Sequence, residues 1–166
     1  RTAGCLRGSP EEFCGCLRGR KILGFARRGK NIVFQLSGGA ALLVHLRMTG
    51  RLQLALPEEP PGPHTRAVFS FRKHAEPLRF DDTRKFGRIW FEKKGPAGEL
   101  ASLSGLGPEP LEISAREFIR RVKAKKRRIK PLLLDQAFLA GVGNIYADEA
   151  LHRARIHPVR NSAGLS

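Results

Sequence analysis

The sequence predicts an α+β protein in which a compact antiparallel β-part is followed by a helical part. Residues 20–92 alternate short apolar runs with turn residues, which is typical of consecutive antiparallel strands. Residues 93–112 are rich in glycine and proline and are mostly turn. From Ser114 onwards the apolar residues recur at helical spacing. We therefore expect a β-domain, a hinge and a helical domain, over residues 1–94, 95–113 and 114–166.

A short helix is predicted near the start of the chain. Ser9 is a favourable N-cap, and Pro10 suits the first helical position because its missing N–H has no helical partner there. Glu11 and Glu12 favour the positive end of the helix dipole. Gly19 is expected to end this helix.

Six strands are predicted from apolar runs that are bounded by turn residues. They are NIVFQL (31–36), ALLVHL (41–46), RLQLAL (51–56), RAVFSF (66–71), PLRFDD (77–82) and GRIWFE (87–92). The glycines after the first strand favour a hairpin turn. A proline-rich loop over residues 57–64 separates the third strand from the fourth, because proline cannot continue a strand.

Three helices are predicted in the C-terminal part. Ser114 and Glu117 have the spacing of a capping box at the start of the first. Phe118, Ile119 and Val122 mark its apolar face. The other two helices are predicted over residues 129–140 and 144–154.

The net charge is the strongest global signal. The chain has 31 Lys and Arg against 15 Asp and Glu, a formal net charge of +16. A small domain with this charge repels itself unless it meets a polyanion. Nucleic acid is the first candidate, an anionic membrane surface is the second, and a ribosomal-type structural protein is the alternative within the nucleic-acid class. No apolar run has the length of a bilayer span and no secretion signal is recognised, so we expect a cytoplasmic protein without a membrane partner.

The cysteines and histidines do not predict a metal site. Cys5, Cys14 and Cys16 have no second pair of ligands at the spacing of a zinc site, and the five histidines are scattered. An odd number of cysteines without a secretion signal is typical of reduced thiols. We expect no metal and no cofactor within this chain.

The basic residues form three clusters. They lie between residues 18 and 30, between residues 84 and 88, and between residues 116 and 130. A single run of this kind is usually a solvated face, but three of them favour a nucleic-acid surface. Met48 and Phe86 stand among these charges, where an apolar side chain can fill a gap in a base stack, although a lone Met or Phe is more often part of a core.

A glycine-rich turn over residues 141–144 allows three interpretations: a nucleotide-cofactor loop, a plain helix-breaking turn, or a site for another phosphate. It lacks the three-glycine spacing of a cofactor loop, and no strand precedes it. Asn144 begins the next predicted helix, where free backbone amides and the helix dipole favour an anion. The turn therefore predicts a contact with a phosphate of nucleic acid.

Five ordered stretches resemble the bacterial formamidopyrimidine-DNA glycosylases of the formamidopyrimidine/endonuclease VIII class. They are RRGKNIVFQL, LLVHLRMTG, LRFDDTRKFGRIWF, LGPEPLE and the long segment KKRRIKPLLLDQAFLAGVGNIYADEALHRARIHP. The resemblance implies an antiparallel β-sandwich joined by a hinge to a domain with a helix–two-turn–helix motif. It also implies base-excision repair, in which an oxidised purine is removed from duplex DNA and the abasic strand is then cleaved.

The resemblance also implies roles for individual residues. Lys30 matches the proton donor of β-elimination, and a lysine there can also hold a phosphate. The other matches are Met48, Arg84 and Phe86, which fill the gap left by a flipped nucleotide; His64 and Lys125, which contact DNA; and Lys130 and Asn144, which grip phosphates. Two positions depart from the family, since Arg47 stands where glycine is frequent and Lys85 where arginine is usual.

The family's amino-terminal proline nucleophile, the glutamate after it and its four-cysteine zinc finger do not occur in this sequence. We therefore expect an internal fragment that is inactive alone, with one structural zinc in a finger outside it. The expected partner is damaged double-stranded DNA, bound by a monomer in the bacterial cytoplasm at the nucleoid. The alternative is a damaged-DNA-binding module without catalysis.

Overall fold

The computed structural model describes residues 5–6, 9–95 and 98–165. The chain divides into two compact units, Arg1–Leu100 and Ala101–Ser166. The domain boundaries predicted at residues 94 and 114 remain predictions. Among the described residues, no helix combines the length and the apolar character that crossing a bilayer requires.

The first unit contains one helix and seven strands. Helix α1 spans Pro10–Leu17, and the strands are β1 (Ile22–Arg28), β2 (Asn31–Leu36), β3 (Ala40–His45), β4 (Gly50–Leu54), β5 (Thr65–Phe71), β6 (His74–Asp82) and β7 (Arg88–Lys93). The predicted cap of α1 is confirmed, because Ser9 Oγ accepts a hydrogen bond of 3.1 Å from the Glu12 N–H. Gly19 follows the helix with a φ of 75°, in the left-handed region that favours glycine.

Two antiparallel sheets pack face to face. One has the strand order β1-β2-β3-β7 and the other the order β4-β6-β5. Phe34, Val44 and Ile89 of the larger sheet share one buried cluster with Phe80 of the smaller sheet and Phe13 of α1. Burial of these apolar side chains is the main force that joins the sheets, and the predicted antiparallel β-sandwich is confirmed.

The six predicted strands are present, with ends shifted by up to three residues, and β1 was not among them. No residue of β1 is buried, because it lies at the edge of its sheet. Leu23 and Phe25 are both about two-thirds exposed. The alternation of buried and exposed side chains that reveals a strand in a sequence is therefore missing there.

Gly87 lies where the loop after β6 enters β7, and it has no room for a side chain. A Cβ atom there would lie 2.4 Å from Cζ of the buried Phe80 and 3.1 Å from Asp82 Oδ2. We expect Gly87→Ala to lower the free energy of unfolding by about 1 to 3 kcal/mol because of this overpacking. Urea unfolding monitored by circular dichroism measures the change.

Gly15→Ala is the matched control. Gly15 lies in the middle of α1, with no atom within 4 Å of its added Cβ. Because alanine stabilises a helix more than glycine does, we expect this variant to raise the free energy of unfolding by about 0.5 to 1 kcal/mol. Equal unfolding free energies for the two variants would contradict the close contact at Gly87.

The second unit is helical. It contains α2 (Ala101–Ser104), α3 (Ala115–Lys123), α4 (Ile129–Leu134), α5 (Asn144–Arg153) and a 3₁₀ turn over Ser162–Gly164. Ser114 Oγ accepts from the Glu117 N–H at 3.2 Å, so this half of the capping box is present. Ile119 was predicted on the apolar face of α3, but its side chain is 52% exposed, whereas Val122 is buried.

The helix predicted over residues 129–140 is too long, because α4 ends at Leu134. Asp135 is extended, and its carboxylate accepts a hydrogen bond of 3.0 Å from the Ala137 N–H. Residues 136–143 then form successive turns before α5, with Phe138 and Leu139 buried. The glycine-rich turn therefore follows turns and not a helix, which gives the order helix, two turns, helix.

Candidate nucleic-acid interface

Met48, Arg84 and Phe86 form one exposed cluster, which we call the wedge cluster. Met48 lies in the turn between β3 and β4, and the other two lie in the loop between β6 and β7. Arg84 Nη1 lies 3.3 Å from Met48 Sδ, and the Arg84 guanidinium carbon lies 4.8 Å from the centre of the Phe86 ring. Met48 is 72% exposed and Phe86 47% exposed. These two apolar side chains therefore lie at the surface and not in the core.

Asp82, at the end of β6, is a buried carboxylate beneath the wedge cluster. Its Oδ1 accepts hydrogen bonds from Thr49 Oγ1 and, at 3.2 Å, from the Arg84 N–H. Its Oδ2 accepts from the Gly87 N–H at 2.7 Å. Burial raises the pKa of Asp82, but these hydrogen bonds outweigh burial and hold the pKa below its ordinary value. The group is thus ionised at neutral pH.

Both loops of the wedge cluster contain a residue in the left-handed region of φ. Arg47 has a φ of 56° and Lys85 a φ of 60°. L-residues seldom adopt this conformation, and glycine adopts it freely. This geometry gives a physical reason why glycine suits the position of Arg47.

Lys30, His45 and Arg47 form a second group, close to each other at one end of the larger sheet. Lys30 lies in the turn between β1 and β2, and the next residue, Asn31, pairs with His45 of β3. Partial desolvation lowers the pKa of Lys30, and the charge of Arg47 lowers it further. Burial, with the charges of Arg47 and Lys30, likewise lowers the pKa of His45. The group concentrates positive potential beside a neutral imidazole.

His45 is a candidate that the sequence interpretation did not include. Its Nδ1 accepts a hydrogen bond of 3.1 Å from the Arg47 N–H, which leaves Nε2 as the donor nitrogen of the neutral ring. Pairing the two strands around the hairpin turn would have placed it beside Lys30. A histidine at the end of an otherwise apolar strand is the signal that was available.

His64 lies at the end of the proline-rich loop, next to the end of β6. Its carbonyl oxygen accepts a hydrogen bond of 3.0 Å from the Asp82 N–H. With Thr49 and Thr83 it lines a cavity of about 220 Å³. Arg79, which is buried, holds this loop through an ion pair of 3.2 Å with Glu59. His64 is therefore placed by the same Asp82 segment that supports the wedge cluster.

Lys130 and Asn144 lie on the two helices that flank the turns of the second unit. Lys130 is in the first turn of α4, and its Nζ lies 2.7 Å from Asp148 Oδ1 on α5. Asn144 is the exposed first residue of α5, and no side chain caps this end of the helix. Free amides and the helix dipole therefore favour an anion here. The ion pair to Asp148 joins the two helices.

Lys125 lies outside the helices, in the segment between α3 and α4. Its side chain is exposed, and its carbonyl oxygen accepts a hydrogen bond from Ser162 Oγ. Ser162 is fully buried, and its N–H donates to the Arg127 carbonyl at 2.8 Å. The C-terminal turn therefore fixes the backbone of this basic segment while leaving the Lys125 ammonium in solvent.

Gln136 shapes the glycine-rich turn and was also not among the predicted site residues. Its side-chain amide donates to the carbonyls of Leu134 at 3.0 Å and Val142 at 2.9 Å. Its Oε1 accepts from the Gly141 N–H at 2.9 Å. Gly141 has a φ of 89°, which glycine tolerates. One side chain thus closes the turn that leads to Asn144.

Two family models match the chain. Residues 2–89 match the formamidopyrimidine-DNA glycosylase N-terminal domain, and residues 106–166 match the formamidopyrimidine-DNA glycosylase H2TH domain. Within the described residues, no group of three or more His, Cys, Asp or Glu is placed to hold a metal ion.

Curated relatives are similar over nearly the whole chain. The formamidopyrimidine-DNA glycosylase of Pelotomaculum thermopropionicum is 48% identical over 162 residues, which are 95% of this chain and 58% of that protein. The corresponding protein of Solibacter usitatus is 49% identical over 151 residues, which are 91% of this chain and 54% of that protein. The chain thus spans little more than half the length of these relatives.

Solved structures share the fold. The MutM (Fpg) protein from Thermus thermophilus has a TM-score of 0.81 at 42% identity, covering 100% of this chain and 59% of that chain. Fpg from Lactococcus lactis, in a complex with DNA that contains an abasic site, has a TM-score of 0.83 at 33% identity. That similarity covers 94% of this chain and 58% of the Lactococcus chain.

Proposed function

Because the chain belongs to the formamidopyrimidine-DNA glycosylase family, we propose that it binds duplex DNA at a damaged or abasic nucleotide as part of base-excision repair. The wedge cluster is the observation that carries this proposal. An exposed Met, Arg and Phe in mutual contact can enter the space that a nucleotide leaves when it is turned out of the stack. The related Lactococcus lactis protein was solved in a complex with DNA that contains an abasic site.

The phosphate contacts come from both units. In the second unit, Lys130 and the N-terminal end of α5 at Asn144 offer a cation and free amides to one strand. In the first unit, Lys30, His45 and Arg47 offer positive charge and an imidazole donor. His64 and Lys125 add further exposed donors. These contacts position the duplex and do not read its sequence.

The chemistry proposed for the whole protein is removal of an oxidised purine followed by cleavage of the abasic strand. Lys30 is the residue of this chain that we assign to it, as a proton donor during elimination. Its lowered pKa makes the ammonium a better acid than an ordinary lysine, because less free energy is needed to release the proton. We further propose that the protein acts as a monomer in the bacterial cytoplasm, where it is associated with the nucleoid.

The affinity of this chain for two matched duplexes tests the proposal. One duplex carries a tetrahydrofuran abasic-site analogue at its centre, and the other is the same sequence without damage. We expect about tenfold tighter binding to the abasic duplex, since its missing base spares the cost of flipping and leaves room for the wedge cluster. Fluorescence anisotropy at about 0.1 M salt, where phosphate contacts are not yet screened out, measures both dissociation constants.

A double-stranded RNA of the same sequence is the control for a ribosomal-type protein. Equal affinity for the two DNA duplexes would contradict the proposed function, and so would tighter binding to RNA than to abasic DNA.

A further inference from the structure

We infer that Asp82 is a positioning residue that holds the wedge cluster assembled before DNA arrives. The inference rests on the proposed function, since it assumes that the wedge cluster enters the DNA. It adds that the two loops of this cluster are held in register by one buried carboxylate.

The contacts of Asp82 reach both loops. Thr49, which donates from its Oγ1, is the neighbour of Met48 in the turn after β3. The N–H groups of Arg84 and Gly87 lie before and after the segment that carries Phe86. All three members of the wedge cluster are therefore within one residue of a group that donates to Asp82.

The direct contacts within the wedge cluster would not maintain it alone. Met48 is largely exposed and Phe86 about half exposed, and Arg84 touches them with a flexible side chain. Freezing such side chains costs conformational entropy. Hydrogen bonds to a buried anion are stronger than neutral ones, so the Asp82 carboxylate supplies the restraint that the exposed side chains lack.

Asp82 also supports a strained backbone. Lys85, with its φ of 60°, lies between the two N–H groups that donate to the carboxylate. A conformation of this kind persists only where the surrounding contacts determine it. Arg66 completes the arrangement, because its Nε donates to the Asp82 carbonyl at 2.8 Å and its charge favours the ionised carboxylate. Arg88 Nη1 also holds this loop, because it donates to the carbonyls of residues 85–87. Asp82 differs from Arg88 in that it also bonds Thr49 in the other loop.

The neighbouring carboxylate makes a natural comparison. Asp81 accepts hydrogen bonds of 2.6 Å from Thr65 Oγ1 and 2.9 Å from Gln53 Nε2, and these partners lie on strands β5 and β4. Asp81 thus joins strands within one sheet, whereas Asp82 joins the two wedge loops. The substitutions Asp81→Asn and Asp82→Asn change the charge equally at adjacent positions.

The experiment measures the affinity ratio between abasic and undamaged duplexes for a set of variants of the full chain. We expect Asp82→Asn to reduce the ratio about fivefold or more, because the asparagine side chain loses the negative charge and its NH₂ group cannot accept a hydrogen bond. We expect Thr49→Ala to reduce it about threefold, because it removes the hydroxyl that donates to Asp82 and that also accepts from the Arg84 N–H at 3.3 Å. Thr49→Ser keeps the hydroxyl and is expected to restore the wild-type ratio. Asp81→Asn is expected to leave the ratio unchanged. Binding to undamaged DNA should stay within about twofold of wild type in all of them, because phosphate contacts dominate it.

The outcomes separate this inference from the proposed function. If Thr49→Ala folds and keeps the wild-type ratio, Asp82 is not a positioning residue, whether or not Asp82→Asn folds. If Thr49→Ser fails to restore the ratio that Thr49→Ala lowers, the hydroxyl contact is not the cause and the inference is overturned. If Phe86→Ala also keeps the wild-type ratio, the wedge cluster does not enter DNA and this inference is overturned, whereas the proposed function itself fails if the wild-type chain binds the two duplexes equally.

Discussion

Replacing Phe86 with alanine is expected to remove most of the preference for abasic over undamaged DNA. The ring is exposed and stacks under the Arg84 guanidinium, so its loss removes the aromatic surface of the wedge cluster. Contact between a base and an aromatic side chain contributes about 1 to 3 kcal/mol, which corresponds to a loss of about 5- to 150-fold in affinity for the abasic duplex. Titration of both duplexes by fluorescence anisotropy measures this loss.

Phe25→Ala is the control for this variant. Phe25 is also exposed, at 67%, but lies on the edge strand β1, where it packs against Phe34. We expect it to lower thermal stability while leaving the affinity ratio intact. A similar loss of affinity for damaged and undamaged duplexes in Phe86→Ala would show that Phe86 serves general DNA binding and not gap filling.

Replacing Lys130 with alanine is expected to weaken binding to every duplex by about tenfold and to flatten its dependence on salt. Each phosphate contact that is lost should reduce the slope of log affinity against log salt by about 0.9. The variant also leaves Asp148 without its partner at 2.7 Å, so an unpaired carboxylate would face the phosphate. Affinity measured between about 50 and 300 mM salt, the range where such slopes are resolved, gives the change.

Two further variants separate the effect of losing the Lys130 ammonium from the effect of leaving the Asp148 carboxylate unpaired. Lys130→Ala combined with Asp148→Asn should recover part of the affinity, because the repulsive carboxylate charge is gone. The slope of log affinity against log salt should stay as low as in Lys130→Ala alone. Lys73→Ala removes the same charge from the turn between β5 and β6 and should change little. A slope that stays at the wild-type value in Lys130→Ala would contradict a phosphate contact at this residue.

Local signals predicted much of the fold. Ser9 and Ser114 cap α1 and α3 as expected, because a cap depends only on residues within one turn. Strands β2 and β3 were predictable from continuous apolar runs. By contrast, β1 was missed because its edge position leaves it without a buried face. The end of α4 was missed because the turns after it depend on Gln136, whose bonds reach six residues ahead to Val142.

The residues of the candidate site likewise include some that the sequence predicted and some that it did not. Met48, Arg84 and Phe86 were predicted from their resemblance to family motifs, and the structure brings them into contact. Asp82 and His45 were not predicted, since each also depends on a neighbour distant in sequence, which is Thr49 for Asp82 and Lys30 for His45. Thr49 lies 33 residues from Asp82, and no spacing rule joins them. A side chain that positions other residues can be identified only when the pairing of the strands is known.

The most direct test of the wedge cluster places the fluorescent base 2-aminopurine opposite the abasic site. Insertion of Phe86 and Arg84 changes the stacking of that base, so we predict a fluorescence change that follows binding by the wild-type chain and is absent for Phe86→Ala at saturating protein. The undamaged duplex should show no such change. Binding of the wild-type chain to the abasic duplex without any fluorescence change would contradict the claim that the wedge cluster enters the DNA.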